Sequence, residues 1–96
     1  MKRFTKARKF YVYIVQCQDS TYYTGYTPDI KRRIKLHNAG KGAKYTRDRR
    51  PIKLVWCKEY GYFKRAVSKE REIKKLTHKQ KQRLVEIYER RSLQKS

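Results

Sequence analysis

Acidic residues are scarce in this sequence. Asp and Glu together number 8 against 28 Lys and Arg, for a formal net charge of +20. So short a chain with that imbalance repels itself and favours polyanionic partners. Nucleic acid is the leading one, because neutralising phosphates releases counterions and drives association. The bland alternative is a lineage that favours lysine. Long apolar runs are missing as well: no segment approaches the length needed to span a bilayer, so a membrane is the weaker partner. Cysteine is limited to Cys17 and Cys57, far apart and without a nearby His, which excludes a zinc site of the usual spacing. The opening MKRFTKARKF is basic and lacks the apolar segment of a secretory signal. A cytoplasmic protein with reduced thiols is therefore expected.

What is present suits one small domain with a compact core. Hydrophobic residues make up 38% of the chain and aromatics 14%, with 9 tyrosines among them. Residues 1–9 are expected to form a flexible basic arm, 10–89 the domain, and 90–96 a polar tail that frays. YVYIVQ, Tyr11 to Gln16, reads as a strand. Tyr22 to Gly25 reads as a second, ending in a glycine turn. Thr27 is the expected N-cap of a helix running to about Asn38, with Pro28 at its first position. Glycines end that helix, and a basic loop, YTRDRRP, follows. Ile52 to Lys58 alternates Ile52, Leu54 and Trp56 on one face and reads as a third strand. A second helix is expected over about Lys64 to Leu76. Thr77 and Gln80 form a capping box for a third, which should bury Leu84, Ile87 and Tyr88. The order is β-β-α-β-α-α, an α+β domain with helices against a small antiparallel sheet.

Two charged residues stand where apolar ones belong. Helical spacing of about 100° per residue puts Ile30, Arg33, Ile34 and His37 on one stripe. On the second helix, Ala66, Val67, Glu70, Ile73 and Lys74 share a face. Buried charges are costly unless paired or ligated. The pattern admits a structural ion pair between Arg33 and Glu70. It also admits a site in which an arginine grips a phosphate and a carboxylate holds a divalent cation. Tyr11 and Tyr13 share one side of the first strand, and Tyr23 could face the same place. Each is also compatible with plain packing, and His37 with a satisfied rim histidine.

YVY, Tyr11 to Tyr13, and YTG, Tyr23 to Gly25, resemble the two halves of the GIY-YIG endonuclease signature. Arg33 falls where that family carries its catalytic arginine, and Glu70, within AVSKEREIKK, where it carries its metal-binding glutamate. GKGAKYT and RRPIKLVW further resemble its small stand-alone members. The likeness runs from Phe10 to about Val85. It implies a three-stranded antiparallel sheet flanked by helices and a metal-dependent phosphodiesterase acting on DNA, in repair or processing. It implies Glu70 as the ligand to Mg²⁺ or Mn²⁺, and Arg33 on the scissile phosphate. Tyr23 would orient or deprotonate water, Tyr13 would support it, and His37 would assist as acid or base. Which of the three handles the proton is left open. Tyr11 replaces the first glycine of the signature, and no asparagine follows Asn38. Lys31, Arg32, Lys41, Lys44, Arg47, Arg49, Arg50 and Lys74 would track a nucleic-acid backbone without reading bases. A monomer without an obligate protein partner is expected. The competing function is a non-catalytic nucleic-acid-binding module that kept the fold.

Overall fold

A computed structural model describes residues 9–94. The basic arm expected over residues 1–9 lies outside them except for Lys9, whose ammonium sits 3.6 Å from Glu59. The described elements are β1 (Phe10–Gln16), β2 (Tyr22–Thr27), α1 (Ile30–Asn38), α2 (Lys44–Arg47), β3 (Lys53–Tyr60), α3 (Phe63–Lys74) and α4 (His78–Gln94). The sheet is antiparallel with order β2-β1-β3. The expected architecture of a three-stranded sheet with flanking helices is therefore observed.

β1 is central because its β-branched and aromatic residues can be buried on both faces. Tyr13 and Val15 pack with Ile52, Tyr23, Ile30 and Ile34, so α1 covers that face. Val12 and Ile14 pack with Trp56, Ala66, Ile73 and Val85, so α3 and α4 cover the other. Among the described residues no helix is long and apolar enough to cross a membrane. Both cysteines are free.

Several local expectations are corrected. Gly25 is not a turn: it lies within β2, opposite Tyr13, and the strand continues to Thr27. A Cβ at this position would come 2.6 Å from the Tyr13 hydroxyl, so the glycine makes room for that ring. Asp29, not Thr27, caps α1: its carboxylate accepts from the Arg32 N–H at 3.1 Å. Thr27 acts one step earlier, accepting from the Asp29 N–H at 3.1 Å. In β3, Val15 pairs with Leu54 but Ile14 pairs with Trp56, which leaves Val55 as an extra residue. That bulge breaks the expected alternation. Val55 is buried beside Trp56, and Leu54 is turned out to 38% exposure.

The capping box of α4 is present, with Thr77 N–H to Gln80 at 2.9 Å and Gln80 N–H to Thr77 at 3.1 Å. In this helix Val85 is buried, flanked by half-buried Leu84 and Tyr88, while Ile87 is exposed. α4 also runs through Arg90 to Gln94, past the point where a fraying tail is expected. α3 begins at Phe63 and ends at Lys74. The basic loop contains a short helix, α2, that the sequence did not announce.

Candidate active site

The charge that α1 sends inward is held by neutral oxygens. The i, i+3, i+4 spacing points Arg33 along the stripe of Ile30 and Ile34, all three half-buried. Its Nε donates to the Tyr13 hydroxyl at 3.3 Å, and its Nη2 donates to the Gly42 carbonyl at 3.3 Å. Neither acceptor carries a charge, so the guanidinium keeps its own.

Gly42 can approach because it lacks a side chain: a Cβ there would collide with the His37 ring. Gly40, at φ +80, sets up the same loop in a left-handed conformation that favours glycine.

Behind Arg33 lies a buried chain of hydrogen bonds with one direction. The Thr46 hydroxyl donates to the Ala43 carbonyl at 3.1 Å, so its oxygen is left to accept. It accepts from His37 Nδ1 at 2.9 Å, which places the imidazole proton on Nδ1. His37 Nε2 is then an acceptor and takes the Tyr13 O–H at 2.8 Å. His37 and Thr46 are both fully buried. Burial first, and then the nearby Arg33 charge, push His37 down to about 4, so it is neutral near pH 7. Burial raises Tyr13 above its ordinary 10.0, although the Arg33 hydrogen bond works against that rise. Passing the Tyr13 proton to His37 is consequently strongly uphill in the resting protein, because the donor is raised and the acceptor lowered. Tyr13 stays a phenol that orients Arg33.

α3 brings Glu70 to the same place. Tyr13, Tyr23, Tyr26, Arg33 and Glu70 line one cavity of about 410 Å³, with Gly25, Thr27 and Pro28 completing its wall. Glu70 is only 13% exposed, and its Oε2 pairs with Lys74 at 3.1 Å across one helical turn. Among the described residues no ion pair joins Arg33 to Glu70; the structural pairing that the sequence allows is replaced by Lys74. Tyr23 is half-buried, with its ring edge-on to His37 at 5.5 Å and stacked on Tyr45 at 5.9 Å.

Of the residues singled out in the sequence, Tyr13, Tyr23, Arg33 and Glu70 meet at this cavity, and His37 does not line it. It is neither a rim histidine nor placed to touch a ligand there, because it sits sealed behind Tyr13. The basic residues divide. Lys31, Arg32, Lys41, Lys44, Arg47, Arg50 and Lys74 are exposed. Arg49 is committed elsewhere, bonded to Asp19 at 3.1 Å and lying 4.0 Å over the Tyr45 ring. Arg47 and Arg50 line a separate cavity of about 570 Å³ with Asn38 and Asp48. Thr46 and Gly42 were missed as site residues. The only signal for them was their place in GKGAKYT.

Glu70 is the one carboxylate lining the cavity, and among the described residues no group of three or more His, Cys, Asp or Glu could cage an ion. Such a donor set does not suit zinc. It does suit a hard cation that keeps most of its waters and borrows one carboxylate.

A GIY-YIG catalytic-domain model matches residues 9–83. A UPF0213 protein of Haloquadratum walsbyi is 53% identical over 76 residues, covering 79% of this chain and 85% of its own. A UPF0213 protein of Staphylococcus haemolyticus is 49% identical, covering 81% and 95%. Among solved structures, a UPF0213 protein from Bacillus halodurans superimposes with a TM-score of 0.55 at 47% identity, covering 82% of this chain and 84% of that one. A protein from E. faecalis does so with a TM-score of 0.59 at 38% identity, covering 84% and 86%. With Tyr13, Tyr23, Arg33 and Glu70 gathered at one cavity, the chain belongs to the GIY-YIG nuclease-domain family, alongside the small UPF0213 proteins.

Proposed function

We propose that this protein hydrolyses phosphodiester bonds in DNA with the help of Mg²⁺ or Mn²⁺. The observation that carries the reading is the meeting of Arg33 and Glu70 at one cavity without pairing to each other. An arginine whose acceptors are a phenol and a carbonyl retains charge for a phosphate and for the charge that develops during its displacement. Tyr13 and the Gly42 carbonyl fix the Nε and Nη2 edges of the guanidinium, so its orientation is set before substrate arrives. Glu70 would hold the cation, which supplies Lewis-acid stabilisation of the phosphate oxygens when bound. Tyr23 and Tyr26 both line the cavity without a hydrogen bond to His37 and without being fully buried; Tyr23, the one in the signature-like YTG, would position the attacking water. His37 acts through Tyr13, as a positioning residue.

The net charge of +20 would supply sequence-independent attraction to the backbone, falling steeply with salt. The test is a panel of single-stranded, nicked, branched and duplex DNA, with RNA alongside, incubated with Mg²⁺ or Mn²⁺. Cleavage of one or more members that is lost in EDTA is expected. Salt-sensitive binding with no cleavage of any member would favour the non-catalytic module instead.

A further inference from the structure

Aromatic side chains in a small domain are ordinarily withdrawn from water, yet Tyr26 and Phe63 meet in the open beside the cavity, with Tyr62 preceding Phe63 as the N-cap of α3. Tyr26, Phe63 and Tyr62 are 38%, 50% and 71% exposed. Tyr26 comes from β2 and also lines the cavity of Arg33 and Glu70. Phe63 opens α3, the helix that carries Glu70. The Phe63 ring meets Tyr26 edge-on at 5.7 Å and Phe10 edge-on at 5.5 Å. The rings are thus braced by one another on a strand and a helix start, and still present π surface to solvent. Lys64 and Arg65, the next residues of α3, are exposed as well.

We infer that Tyr26 and Phe63, with Tyr62 at their rim, form a stacking platform for an unpaired nucleobase next to the cleavage cavity. The occupant follows from charge and continuity. A second copy of this chain would bring another +20 to the same patch. A polyanion drawn to the cavity would instead deliver bases within reach of Tyr26. In a duplex the base faces are already stacked, and only an unpaired base has a face to offer. The substrate class is therefore nucleic acid with a single-stranded segment at the scissile phosphate. This rests on the proposed phosphodiesterase site only for its position, since stacking needs no cleavage.

The test is equilibrium binding by fluorescence anisotropy, in EDTA, to labelled single strands of about 20 nucleotides. The strands are oligo-dT, oligo-U, and an abasic DNA strand with the same phosphates. The full chain should bind at least one base-bearing strand about tenfold more tightly than the abasic one. Tyr26→Leu, Phe63→Leu and Tyr62→Ala should each erode that preference while leaving abasic binding and the salt slope unchanged. The leucine variants keep apolar bulk where the rings pack. The oligo-dT and oligo-U arms report whether the sugar matters. Equal affinity for base-bearing and abasic strands in the wild type would overturn the inference, and needs no variant to fold. So would losses that are the same on all strands. Base-dependent binding by a protein that cleaves nothing would leave the platform standing and count only against the nuclease reading.

Discussion

Arg33 and Glu70 are both charges aimed inward from a helix, and the protein holds them in opposite ways. Arg33 is fixed by neutral acceptors on two other elements, the Tyr13 phenol on β1 and the Gly42 carbonyl in the loop after α1. Behind it, His37 and Thr46 continue the bracing into the core. Glu70 has a local counterion, Lys74, from its own helix, and that lysine is 52% exposed. The arginine is thus oriented by two hydrogen bonds and has no ion-pair partner among the described residues. The carboxylate is compensated by a side chain that solvent or a cation can displace. A site that must present a positive charge to phosphate and also admit a divalent ion needs this asymmetry.

The comparison can be broken at its stiff end first. Arg33→Ala should lower metal-dependent cleavage about 100- to 1000-fold, as loss of a transition-state donor does. A melt at pH 7 should still show a folded protein. Next comes the buried relay. His37 lies at about 4 in the folded state and near 6.5 unfolded, so the unfolded chain binds more protons between those values. Stability should be fully present above about pH 6.5 and fall as pH drops toward 4, by roughly 3 kcal/mol in total. Urea titrations across that range check it, and His37→Gln should flatten this part of the profile. Gly42→Ala should cost about 1–3 kcal/mol through overpacking against His37, read by the same titrations. It should also slow cleavage by freeing Arg33. Lys74→Met, at the soft end, should change stability by less than about 1 kcal/mol. It should tighten Mn²⁺ binding measured by calorimetry, because it removes a competing cation.

The inward direction of Arg33 and Glu70 was legible because helical spacing is regular over α1 and α3. Their partners were not, because spacing says which way a side chain points and nothing of what meets it. Arg33 depends on the loop carrying Gly42, which has no periodicity to read. The depth of His37 was hidden for the same reason: the stripe showed it inward, but its seal is made by Tyr13, Gly42 and Thr46 from elsewhere. β3 misled at Leu54 because one bulged residue reverses a period of two. α4 misled at its end because arginine and glutamate sustain a helix without a buried face. Gly25 carried the right residue with the wrong reason, room for a ring in place of a turn.

The most direct measurement is the Mg²⁺-dependent cleavage rate of the best substrate on the panel, compared between wild type and Glu70→Ala. Glu70→Ala should fold, bind nucleic acid at least as tightly in EDTA, and lose cleavage. Cleavage that persists at the wild-type rate in Glu70→Ala would contradict the assignment of Glu70 to the metal.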